Sequence, residues 1–140
     1  PDYEIIIISD RKVKITEPKV KLFISGRRRT GPAEKRDLAL KYAKGEICAF
    51  IDDDAYPDPN WLKNGIKYFK NKKIAAVGGP GLTPPEDGFW AQVTGVMYKS
   101  YFCGGRIQHR FIKYPRRIFV NDYPAYNLLI RKNVLKKVGG

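Results

Sequence analysis

The run Tyr3–Ser9, YEIIIIS, narrows the fold more than any other feature of the chain. Four consecutive isoleucines, apolar and β-branched, make up most of it, with no alternation between apolar and polar side chains among them. Such a run reads as a strand buried on both faces, as inside a parallel sheet. Val20–Ser25 (VKLFIS), Glu46–Ile51 (EICAFI) and Ile74–Gly78 (IAAVG) repeat the theme. Segments of helical period separate them. Thr30 is placed to cap a helix running to about Lys44, with Pro32 in its first turn. Leu38, Ala39, Tyr42 and Ala43 give that helix its stripe, and Gly45 its stop. Asp58-Pro59 is placed to start a second helix reaching about Asn71, with Leu62, Ile66 and Phe69 on one face. Strand, helix, strand, helix predicts an α/β fold with a mostly parallel sheet flanked by helices.

Residues 82–117 break this rhythm. Trp90, Val93, Met97 and Tyr101 fall on one helical stripe that Gly104-Gly105 interrupts. Packing in a core is the expected role of Trp90, Tyr98, Tyr101 and Phe102, with stacking on a ring-shaped ligand as the alternative. The basic, aromatic segment RIQHRFIKYPRR (Arg106–Arg117) comes next. Ile118–Val120 and Tyr126–Ile130 read as extended, and Asn133–Val138 as a short helix ending at Gly139-Gly140.

Charge narrows the partners. The 140 residues carry 27 Lys and Arg against 14 Asp and Glu, a net of +13. The excess is uneven. Residues 88–140 hold ten basic side chains and one acidic, Asp122. An anionic partner follows: a phosphorylated small molecule, an anionic membrane surface or nucleic acid. Against nucleic acid, the chain has no RNP, zinc-finger or helix-turn-helix signature. There is no apolar run near the roughly 20 residues of a membrane helix, and no signal-peptide pattern. Cys48 and Cys103 form neither a disulfide framework nor a zinc spacing. His109, the sole histidine, has no triad partner in the pattern.

The one acidic concentration is Asp52-Asp53-Asp54, directly after the third strand run. In an α/β sheet, ligands bind beyond the carboxyl ends of the strands. Three adjoining carboxylates repel one another unless a cation joins them. A hard divalent ion, Mg²⁺ or Mn²⁺, prefers such oxygen donors. If the strand stayed extended, Asp52 and Asp54 would share a face and Asp53 would take the other.

From Gly31 to Trp61 the chain reads GPAEKRDLALKYAKGEICAFIDDDAYPDPNW. This resembles the core signature of family 2 glycosyltransferases of GT-A fold. Gly31 and Ala33, Arg36-Asp37, Ala43-Lys44-Gly45, Asp52-Asp53-Asp54 (the DxD motif) and Pro59-Asn60-Trp61-Leu62 match in order. Asp37 stands where the family usually has Asn. PDYEIIIISD is similar to the family's second strand, with one terminal acid, Asp10, instead of two. AAVGGP and AYNLLIRKNVLKKVGG match later segments.

The resemblance implies a GT-A (nucleotide-diphospho-sugar transferase) domain, incomplete at both ends. The family's first strand and the segment after Gly-Gly, which usually bears the catalytic base, are not in the sequence. Residues 1–81 would form the nucleotide- and metal-binding half, and 82–140 the acceptor-side half. The implied activity is metal-dependent, inverting transfer of a sugar from a UDP- or GDP-sugar to an acceptor hydroxyl. Asp10, Arg36, Asp52 and Asp53 would contact the donor nucleotide. Asp54 and Asp52 would hold the divalent metal. Gly79, Asn127 and Arg131 would lie on the sugar or acceptor side. Asp122 is a weak candidate for the base. The acceptor would be a glycan or a lipid-linked group, with Arg106–Arg117 as a contact to an anionic acceptor or membrane surface. A cytoplasmic location, peripheral to a membrane, would follow. Two other readings compete: a basic nucleic-acid-binding module, and a non-catalytic domain of GT-A type that binds a donor without turning it over.

Overall fold

The computed structural model describes residues 2–26 and 29–139. Of the Arg27-Arg28-Arg29 cluster, Arg27 and Arg28 lie outside these residues, as does the last residue of the terminal Gly-Gly. The chain divides into two units, one of residues 1–48 with 130–140 and one of residues 49–129.

In the first unit, strand β1 (Ile5–Ser9) pairs in parallel with β2 (Val20–Ile24), Ile5 opposite Val20 and Ser9 opposite Ile24. Helix α1 (Pro32–Tyr42) packs on β1. β1 is not buried on both faces: Ile5 and Ile7 are 39% and 38% exposed. With β2 as its one partner strand and α1 as its cover, one of its faces stays wet. Gly31, not Thr30, precedes the helix, and the Glu34 carboxylate accepts the Gly31 N–H at 3.2 Å. That contact is half of a capping box. Leu40, outside the expected stripe, is the buried side chain of α1, and Tyr42 stacks on Phe23 with centroids 3.8 Å apart. The helix ends at Ala43, before Gly45 is reached. Glu4 explains the early stop. Its carboxylate accepts the backbone N–H groups of Lys44 (2.6 Å) and Gly45 (3.3 Å), which draws the chain out of helical geometry.

The remaining strands are β3 (Ile47–Ile51), β4 (Ala76–Gly78) and β5 (Asn127–Arg131), in the sheet order β3-β5-β4. The chain passes from one unit to the other within β3 and returns within β5. In place of one parallel sheet, the described residues therefore form two small sheets. The class remains α/β.

Within the second unit, α2 (Trp61–Ile66) runs on as a 3₁₀ turn over Lys67–Lys70. It begins later than Asp58-Pro59 predicts. Asp58 folds a turn instead, its side chain accepting the Asn60 N–H and its carbonyl the Trp61 N–H, both at 2.8 Å. The core is Leu129 (2% exposed) and Phe69 (8%), with Gly65 buried against Leu129.

Helix α3 (Phe89–Lys99) stops before Tyr101, because Ser100 leaves helical geometry and caps the next turn, α4 (Tyr101–Gly104), through the Cys103 N–H at 3.1 Å. A 3₁₀ segment, Gly105–Arg110, follows and packs with α3 and α4. Ile118–Val120 is not a strand, and all three side chains are exposed. A strand needs a neighbour for its backbone groups, and the sheet order provides none there. In the first unit, α5 (Lys132–Val138) ends at Gly139 in the left-handed conformation (φ 102°), as the glycine predicts.

Candidate active site

β3 delivers the acidic triplet, but extended geometry ends at Ile51. Asp52–Ala55 is a turn closed by the Ala55 N–H on the Asp52 carbonyl at 3.2 Å. The turn still brings Asp52 and Asp54 to one cleft, and Asp53 is not among the residues lining it. The cleft has a volume of about 470 Å³ and lies within the second unit. That is room for a small-molecule ligand, whose sites usually span 300–1,000 Å³. Across from the triplet, Gly81, Leu82, Thr83 and Asp87 come from the loop after β4, and Ala91, Thr94, Gly95 and Tyr98 from one face of α3. Phe111 and Tyr126 complete the lining.

Hydrogen bonds hold the segment that leads into Gly81, although Gly79, Pro80 and Asn127 are not themselves lining residues. The Asn127 amide is the hub: its Oδ1 accepts from Trp61 Nε1 at 2.8 Å, and its Nδ2 donates to the Pro80 carbonyl at 3.2 Å. The Gly79 N–H donates to the Asn127 carbonyl at 3.1 Å. A Cβ on Gly79 would stand 2.8 Å from Asn127 Nδ2, so this glycine packs against the hub. Tyr123 donates its hydroxyl to the Gly79 carbonyl at 2.7 Å, and Tyr126 to the Arg110 carbonyl at 2.9 Å. Burial pushes both phenols up, so they remain donors at neutral pH. At the rim, the Tyr56 hydroxyl meets Glu86 at 2.6 Å, tying the loop after the acidic turn to the loop that carries Asp87. Tyr98 and Phe111 stack with centroids 4.7 Å apart, a flat aromatic wall to the cleft.

The expected site residues are distributed as follows. Asp52, Asp53, Asp54, Gly79 and Asn127 belong to the second unit, and Asp10, Arg36 and Arg131 to the first. Asp10 organises the turn after β2. It accepts from the Ser25 hydroxyl at 2.8 Å and the Thr30 N–H at 3.3 Å, and pairs with Lys35 at 3.0 Å. These partners, the Ser25 hydroxyl first, hold its carboxyl down to about 2. Arg131 lines a separate, basic cleft of about 370 Å³ with Lys44, Lys132 and Lys136. Asp122 is ion-paired with Arg110 and is not a lining residue of the larger cleft.

Several residues of the site escape sequence reasoning. Thr83, Asp87 and Thr94 sit in no motif, and Phe111 lies in the basic, aromatic segment Arg106–Arg117 without being singled out in it. Their one signal was position, in the loop-rich stretch that follows a Gly-Pro-Gly turn. Of the four aromatics expected in a core, only Tyr98 lines the cleft. Trp90, Tyr101 and Phe102 are 78%, 76% and 97% exposed.

Among the described residues there is no cluster of three or more His, Cys, Asp or Glu side chains poised around one point. Two carboxylates on one wall are nonetheless a fitting donor set for Mg²⁺ or Mn²⁺. Such ions keep several waters and bind through one or two carboxylates plus the phosphates of a substrate. No helix is long and apolar enough to cross a membrane, again among the described residues.

A family model, that of glycosyl transferase family 2, matches residues 1–139. Comparison with curated proteins and with solved structures gives no match.

Proposed function

The chain belongs to glycosyl transferase family 2, which implies a nucleotide-sugar donor and an acceptor, and from that premise we propose metal-dependent, inverting transfer to an acceptor hydroxyl. The observation that carries the reading is the shared cleft of Asp52 and Asp54. In this reading the domain is of GT-A type. Residues 1–81 would serve the donor nucleotide and residues 82–140 the acceptor side.

Asp52 and Asp54 would hold Mn²⁺ or Mg²⁺, which when bound stabilises the negative charge gathering on the departing diphosphate. The protein supplies the rest. The turn Asp52–Ala55, closed by one backbone hydrogen bond, would set the backbone positions from which both carboxylates reach the cleft. The Asn127 hub and Tyr123 hold Gly79-Pro80 as a rigid edge beside the cleft. The Tyr98–Phe111 wall offers its face to the apolar side of a sugar ring. Asp122, committed to Arg110, gains no support as the base from this arrangement.

Calorimetric titration of the chain with UDP and with GDP, with and without Mn²⁺, tests the proposal. One nucleotide should bind in a Mn²⁺-dependent way. Asp54→Asn should weaken that binding by about tenfold or more, roughly 1.4 kcal/mol. Equal metal-dependent affinity in the variant would overturn the assignment of Asp54.

A further inference from the structure

Helix α3 carries large apolar side chains on the side away from the cleft. At 100° per residue, Ala91, Thr94, Gly95 and Tyr98 fall within an arc of about 100°, and all four line the cleft. Phe89, Trp90, Val96 and Met97 fall within an arc of about 120° on the opposite side, with exposures of 71%, 78%, 64% and 48%. Val93, in the middle of this second arc, is half-buried, while the four residues around it project into solvent. α4 extends the apolar surface with Tyr101 (76%) and Phe102 (97%). From Gly88 to Gly105 the only charge is Lys99. Clusters of large exposed apolar side chains mark interaction sites.

We propose that the outer face of α3 and α4 docks on the surface of an anionic lipid bilayer, with the aromatic side chains entering the headgroup region. Charge selects this occupant. Residues 88–129 hold six basic side chains and one acidic, Asp122, itself paired with Arg110. Lys99, Arg106, Lys113, Arg116 and Arg117 are exposed. Exposed Trp, Tyr and Phe with Lys and Arg in the same segment are the composition of an interfacial surface. Acidic lipids complement that charge. A second copy of the chain would bring the same excess positive charge against itself, because a twofold interface repeats one patch. The docking is peripheral, since neither helix is long enough to span.

The proposal is independent of the transferase reading, and co-sedimentation with vesicles tests it. The chain should be retained at low salt by an equimolar mixture of phosphatidylglycerol and phosphatidylcholine, and not by phosphatidylcholine alone. Raising the salt should release it. Trp90→Ser with Phe102→Ser should cut the retained fraction roughly tenfold, and both sites are exposed enough that folding survives. Asp54→Asn should be retained like the parent, which separates this surface from the cleft. Failure to bind the acidic vesicles overturns the proposal. So does retention indifferent to Trp90→Ser/Phe102→Ser. A dimer in light scattering that the same double variant abolishes, without vesicle binding, would assign the face to a second copy and also overturn it.

Discussion

Gly95→Ala asks whether α3 really turns its small-residue face to the cleft. Gly95 is the one fully buried residue of the helix. A Cβ there would stand 2.1 Å from Thr83 Oγ1, 3.0 Å from Thr83 Cβ and 3.6 Å from Thr83 Cγ2. Ordinary contact is about 3.5–4.0 Å, so the hydroxyl must retreat by more than an ångström and the Thr83 backbone must yield too. Overpacking of this size costs typically 1–3 kcal/mol. Alanine in place of glycine in a helix gains about 0.8–1.0 kcal/mol. The two effects oppose each other, and the net expectation is a loss of about 1 kcal/mol. Thr83→Ala removes both the hydroxyl and the methyl. In that background only the Thr83 Cβ contact remains, and Gly95→Ala should become neutral or mildly stabilising. The cycle therefore predicts a coupling of about 1–2 kcal/mol, well above the few tenths expected of independent sites. Urea denaturation of the four proteins, read by far-UV circular dichroism, supplies the numbers. If Gly95→Ala has the same effect in both backgrounds, α3 does not sit on Thr83, and the assigned inward face is wrong.

Three further expectations follow from the same structure. Tyr98→Ala should weaken binding of the intact nucleotide sugar in the presence of Mn²⁺ and leave the bare nucleoside diphosphate unaffected, because the aromatic wall would meet the sugar ring; equal losses for both ligands would remove Tyr98 from that role. Glu4, chiefly through Lys21, and Asp10, chiefly through Ser25, are each held down to about 2 in the folded chain. An unfolded chain binds those protons more readily, so their contribution is present above the ordinary carboxylate range and is lost as pH falls towards about 2. Glu4→Gln should flatten the stability profile between about pH 4.5 and 2, and an unchanged acid limb in urea titrations at stepped pH would contradict that. With a thiol reagent at neutral pH, Cys103, which is exposed, should react first. Cys48 should lag, since burial pushes its thiol up, and Cys48→Ser should abolish only the slow phase.

The strands and the acidic turn were legible in the sequence because their signals are local. EICAFI followed by three aspartates places a strand and then a carboxylate pair wherever the strand ends. Some departures are local, as at Asp58 and Ser100; the others depend on neighbours. The apolar continuity of YEIIIIS predicted two buried faces, yet exposure of Ile5 and Ile7 depends on how many strands and helices lie beside them. Gly45 looked like a helix stop, but α1 was ended two residues earlier by a carboxylate from residue 4, forty positions away in sequence. Ile118–Val120 has strand composition and no partner. Thr83, Asp87 and Phe111 reach the cleft through the loop after β4 and the turn after the Gly105–Arg110 segment, and no spacing rule connects those stretches to Asp52.

The stripe on α3 makes the same point from the other direction. Of the stripe Trp90, Val93, Met97 and Tyr101, the first three fall on one face of α3, since period 3.6 is a property of the backbone, and Tyr101 falls beyond the helix end. The inference that an apolar face points into a core adds a second assumption, that the chain's interior is the only apolar environment on offer. Gly95 breaks that assumption. It lets α3 approach Thr83 on the side where Ala91 and Thr94 also leave room, and once that close approach is made, the bulky face has nowhere to go but outward. A helix with a small side towards a cleft and a large side towards solvent is written with one ordinary amphipathic pattern. Periodicity cannot assign the two sides; the glycine, read with its contact, does.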